Sequence, residues 1–129
     1  MLSIYSTADG SNNVRYTVAG SLVGGEILQG PLTDIKSITH EPALLRLDVL
    51  FFSLDKGMHG ALRWEDNDRT LICPIEDRGY FDFEHWFGGW GNPKREGFTG
   101  NILLDMWAGS GDDRPWLFSL KFELTKQTR

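Results

Sequence analysis

Apolar and polar residues alternate with a period of two along much of the chain, the signature of half-buried β-strands. In the clearest segment, Trp116, Phe118, Leu120, Phe122 and Leu124 fall on one side and Ser119, Lys121 and Glu123 on the other, so the even face is predicted to be core. Upstream, Ile102, Leu104, Met106 and Ala108 alternate with Asn101, Leu103, Asp105 and Trp107, and the connection 109–115 predicts a hairpin joining the two segments. Tyr80 to Phe87 alternates too. Phe81, Phe83, His85 and Phe87 share the face expected to be buried, with His85 read as a core histidine, and Tyr80, Asp82, Glu84 and Trp86 share the other.

Turn signals divide the remainder. Gly60–Glu65 and Thr70–Ile75 are predicted to pair across Asp66-Asn67-Asp68-Arg69, and Asp77-Arg78-Gly79 continues the meander. Leu2–Ser6 and Val14–Ala19 flank Asp9-Gly10-Ser11-Asn12-Asn13, a concentrated turn signal that predicts another hairpin. Between Ala43 and Asp55, Leu45, Leu47, Val49 and Phe51 share one side of a strand and Leu50, Phe52 and Leu54 the other. A helix near 42–55, with Pro42 in its first turn, is the alternative, and β-favouring Val49-Leu50-Phe51-Phe52 tips the reading to strand. The sum is an all-β, mainly antiparallel fold of about eight strands; sandwich and closed barrel both fit the pattern. With 129 residues and no shift in composition, residues 1–129 read as a single β domain.

Charge narrows the partners. The formal charge of −5 and the lack of any basic stripe longer than Lys94-Arg95 argue against nucleic acid. Acidic residues gather at Glu65-Asp66-Asn67-Asp68, Glu76-Asp77, Asp82 with Glu84, and Asp112-Asp113, where solvated turns are the ordinary account. Neither a signal peptide nor an apolar run of membrane-spanning length is seen, and the lone Cys73, in an apolar-leaning run, is expected in the core. A cytoplasmic protein is the expectation.

Motifs for chemistry are absent or incomplete. Gly88-Gly89-Trp90-Gly91 lacks the ending and the helix of a phosphate loop, His40, His59 and His85 stand singly, and Asp66-Asn67-Asp68 lacks the glycine and glutamate of a calcium loop. There is no serine elbow. No metal or cofactor is therefore expected, and a non-enzymatic role is favoured over an enzyme using a carboxylate pair such as Asp82 and Glu84 with Asp105.

The aromatic, glycine-rich segment 86–100 is the one unusual feature. It places Trp86, Trp90 and Phe98 beside Asn92 and Arg95, in a connection of the kind that often carries function. If 80–87 and 101–108 are neighbouring strands, Trp86 and Trp107 share a face with Asp82, Glu84 and Asp105. The expectation is a binding or protein-interaction domain using this loop and face, by self-association or with a protein partner. A small-molecule or carbohydrate platform is the alternative. In a third account, Trp90 and Phe98 fold back to cap the core.

Overall fold

In the computed structural model, which describes residues 2–38, 44–91, 96–109 and 114–127, the alternating segments become strands of two antiparallel sheets. In chain order these are β1 (Leu2–Asp9), β2 (Asn13–Leu22), β3 (Ile27–Pro31), β4 (Leu44–Leu54), β5 (His59–Trp64), β6 (Leu71–Glu76), β7 (Arg78–Asp82), β8 (Trp90–Gly91), β9 (Ile102–Trp107) and β10 (Trp116–Gln127). One helix, α1 (Phe83–Phe87), and a 3-10 turn (Ile35–Ser37) complete the described elements. The larger sheet runs β1-β2-β10-β4-β7, with β8 added to β4, and the smaller runs β3-β9-β5-β6. The sheets do not close into a barrel, so the sandwich is the form adopted. Beyond the eight expected strands there are two, β3 and β8; β3 carries Gly30 and Pro31, which mask a strand in the sequence.

The core lies between the sheets. Trp116, Phe118, Leu120, Phe122 and Leu124 of β10 meet Val14, Tyr16 and Val18 of β2 and Leu45, Leu47, Leu50 and Phe52 of β4 as one buried cluster. From the smaller sheet, Ile102, Leu104 and Met106 of β9 and Leu62 and Trp64 of β5 join it, each without measurable exposure. Burying a side chain of this size contributes about 1.5–3 kcal/mol, and this cluster is the main force holding the sheets face to face. Cys73 is buried as expected, and burial pushes its thiol up to about 12.

The expected β1–β2 and β5–β6 hairpins form. The β9–β10 hairpin does not: β9 pairs with β3 and β5 in the smaller sheet, while β10 sits between β2 and β4 in the larger one. The meander also breaks, because the chain passes from β6 to β7 through Asp77, at φ 58°, and changes sheet there. Alternation specifies which face of a strand is buried but not which sheet the strand joins, and both errors have that origin.

Residues 80–87 are not one strand. Strand β7 ends at Asp82, whose carboxylate accepts the His85 N–H at 2.9 Å and starts α1, and Gly88, at φ 72°, closes the turn by donating its N–H to the Glu84 carbonyl. His85 is consequently exposed rather than core. Residues 44–54 form a strand and not a helix, with Pro42 and Ala43 lying outside the described residues. A bulge at Asp48, between the pairs Leu47↔Leu124 and Val49↔Glu123, flips the strand's parity. Leu45 and Leu47 therefore face inward together with Leu50, Phe52 and Leu54, and Phe51 turns outward.

Candidate functional site

The outward positions of the larger sheet form registered rows across its strands. Ser3, Ala19, Ser119, Ser53 and Arg78 are successive partners from β1 to β7, a row of small side chains ending in a cation. In the next row stand Thr17, Lys121, Phe51 and Tyr80. With strands about 4.8 Å apart, five strands give a row of about 19 Å. Large residues beside small ones make a ridge and a trough.

The trough has a volume of about 720 Å³ and is lined by Phe51, Ser53, Arg78, Gly79, Tyr80, Ser119 and Lys121. Its aromatic wall is the pair Phe51 and Tyr80, with ring centroids 4.5 Å apart and planes tilted by 33°. These rings are 49% and 47% exposed, which is unusual for adjacent aromatics that gain nothing from the core. Beyond the ridge, a second hollow of about 340 Å³ shares Phe51 and Lys121 and is lined by Arg15, Thr17 and Glu123. Gly79 supports the floor, because a Cβ there would lie 2.5 Å from Cζ of the buried Phe52.

Among the described residues, Arg78 and Lys121 make no ion pair and Ser53 and Ser119 make no side-chain hydrogen bond. The acids in the following row are engaged: Tyr80 donates its hydroxyl to Asp82 at 3.2 Å, and Glu123 pairs with Arg15 at 3.0 Å. Desolvation and then the Asp82 contact raise the Tyr80 phenol above its ordinary range. The trough thus offers two cations, two serine hydroxyls, the Tyr80 hydroxyl held on Asp82 and an apolar wall.

No family model, curated protein or solved structure matches this chain. The functional reading rests on its own geometry.

The residues singled out from the sequence do not share one face. Asp82 caps α1, and Glu84 on that helix is exposed, 4.0 Å from Arg46. Trp86 is 53% exposed on the same helix and meets Phe81 edge-on at 6.2 Å. Trp90 is half-buried against the core and meets Phe83 edge-on at 5.4 Å, its backbone paired with Leu47. Phe98 is exposed, and Asn92 and Arg95 lie outside the described residues.

Asp105 and Trp107 belong to the smaller sheet, and so the expected face with Asp82, Glu84 and Trp86 is not formed. Asp105 is buried at 6% exposure between Arg63, whose Nε donates at 2.9 Å, and Arg69. Trp107 stacks on His59 at 6.0 Å. Asp66 is another departure from the solvated turn: it is buried and accepts the N–H groups of Asp68 and Thr70, which fixes the β5–β6 turn. Sequence reasoning missed Phe51, Arg78 and Lys121. The available signal was Lys121, already assigned to the outward face of β10, and it needed only the pairing partner that the bulge conceals.

Proposed function

We propose that this chain is a non-enzymatic binding domain whose binding surface is the outer face of the larger sheet. The observation that carries the reading is the coincidence of an exposed aromatic pair, Phe51 and Tyr80, with two unengaged cations, Arg78 and Lys121, in one trough. The cross-strand contact of Phe51 with Tyr80 contributes to the sheet but leaves about half of each residue exposed beside two unpaired cations, and a ligand with a flat apolar part and an anionic group satisfies both. Two of the carboxylates considered for catalysis are engaged elsewhere: Asp82 caps a helix, and Asp105 is held between two arginines in the other sheet. With only two free cations in this trough and a charge of −5, nucleic acid is a poor occupant. The buried lone thiol of Cys73 suits a cytoplasmic setting.

A fragment screen read by backbone amide NMR tests this reading. Fragments with an aromatic or saccharide ring and a carboxylate should shift residues 51–53, 78–80 and 119–121. Shifts confined to residues 86–100, or to the smaller sheet, would reject it.

A second reading, a protein-interaction surface, is supported by the smaller sheet's outer face, where Ile27 is 70% exposed in the row shared by Trp107 and His59. Sedimentation of Ile27→Ser beside the parent tests it. A shift from an oligomer to monomer supports this contact, and an unchanged distribution removes self-association through it.

A further inference from the structure

We propose that the trough takes an extended acidic saccharide, with a sugar ring on the Phe51–Tyr80 wall and its carboxylates on Lys121 and Arg78. This inference rests on the binding reading above and adds the ligand class. Three features of the surface select it.

The first is direction. The row Ser3, Ala19, Ser119, Ser53, Arg78 runs across the strands. A bound peptide gains affinity by adding a strand to the unpaired backbone of a sheet edge, here the outer side of β7, whereas a ligand along this row crosses β10, β4 and β7 instead of running beside that edge. A saccharide needs no unpaired backbone, since its recognition is by ring stacking and hydroxyl contacts.

The second is the floor. Ser53 and Ser119 offer hydroxyls that both donate and accept, without side-chain partners among the described residues, and Ala19 and Ser3 continue the row with side chains small enough to admit a ring. A polyhydroxylated ligand matches such groups at successive strands. The wall supplies the apolar contact, because the C–H face of a pyranose packs flat against an exposed aromatic ring.

The third is charge. Lys121 lies beside Phe51 in one row and Arg78 ends the next, so the cations bracket the aromatic wall rather than cluster at one point. The nearby acids do not cancel them, since Glu123 is held by Arg15 and Asp82 accepts from Tyr80. Carboxylates spaced along a chain fit two separated cations better than a single anionic group does, and Arg78 can take a carboxylate in two-point fashion.

The experiment is a calorimetric or NMR titration of the full chain with a galacturonate hexamer, its methyl-ester counterpart and a hexaglutamate peptide. The acidic saccharide should bind, and esterification should weaken it about tenfold or more, because the ester removes the charges that Lys121 and Arg78 meet. Phe51→Ala and Lys121→Gln should each weaken it by about tenfold while leaving the far-ultraviolet dichroism unchanged, because both side chains point to solvent. Arg78→Gln is the second cation variant, should either of those fail to fold.

Equal affinity for acid and ester overturns the charge argument, and hexaglutamate binding as tightly as the saccharide overturns the ligand class. Binding that is unmoved by Phe51→Ala overturns the site. If fragments map to the trough yet no uronate binds, only this inference fails; if fragments map elsewhere, the binding reading fails with it.

Discussion

Replacing Trp90 by alanine separates a loop that closes the core from a loop that meets a partner. The indole stands edge-on to the buried Phe83, at 5.4 Å between centroids and 68° between planes, and β8 ties its backbone to Leu47 of the central strand β4. Truncating a fully buried aromatic costs about 3–5 kcal/mol through lost transfer energy and the cavity left behind. Trp90 is half-buried, which scales that to about 2 kcal/mol, with the edge-to-face pair contributing about 0.5–1 of it. For 129 residues the unfolding entropy is about 270 cal/mol/K, so the melting temperature of Trp90→Ala should fall by about 7 °C. Urea melts followed by dichroism should show a lower midpoint with an unchanged slope. Trp86→Ala is the control: at 53% exposure its change should stay within about 0.5 kcal/mol. A Trp90→Ala protein that melts with the parent, or one less affected than Trp86→Ala, would refute the capping role.

Three further outcomes are expected. Gly79→Ala puts a Cβ 2.5 Å from the Phe52 ring and should lower stability by about 1–3 kcal/mol, and an unshifted urea midpoint would mean that Phe52 is not packed beneath the trough. Asp105→Ala leaves Arg63 and Arg69 facing one another without their carboxylate, and because both arginines are partly exposed the loss should be about 2 kcal/mol rather than the 3–5 of a fully buried pair. A loss under about 0.5 kcal/mol would show the cluster to be decorative. Burial raises the Cys73 thiol from 9.0 to about 12, so the folded state holds that proton more tightly: this contribution is complete below pH 9 and is lost as pH climbs towards 12. Cys73→Ala should flatten the alkaline fall in stability, and an identical slope above pH 9 in parent and variant would contradict it.

Strand existence was legible wherever one face is apolar and the other polar, as in β10, whose alternate residues from Trp116 to Leu124 are buried. Local turn chemistry likewise located the β1–β2 and β5–β6 hairpins. What alternation does not encode is sheet membership. A strand with one buried face fits either sheet of a sandwich, and the crossings after β4 and β6 depend on contacts far apart in sequence. Capping chemistry overrode pattern once: the period-two run from Tyr80 to Phe87 breaks because Asp82 accepts the His85 N–H and Gly88 adopts a left-handed turn. Moving β7 into the larger sheet and β9 into the smaller one then dissolved the expected acid and tryptophan face.

The candidate site turns on one residue that pattern reading could not reveal. Without the extra residue, Leu45, Leu47, Val49, Phe51 and Ser53 would all face one way, burying a serine and leaving Leu50, Phe52 and Leu54 outside. The bulge at Asp48 lets both halves of β4 bury their stronger apolar set, Leu45 and Leu47 with Leu50, Phe52 and Leu54. Its cost is a buried carboxylate, offset by Arg46 Nε donating to Asp48 at 2.7 Å and by the Thr125 hydroxyl donating to its other oxygen. Phe51 and Ser53 are thereby turned outward into register with Lys121 and Ser119 on β10 and with Tyr80 and Arg78 on β7. The same step that completes the core sets the aromatic wall and the hydroxyl floor side by side, so the trough is a consequence of how β4 packs rather than an appendage to it.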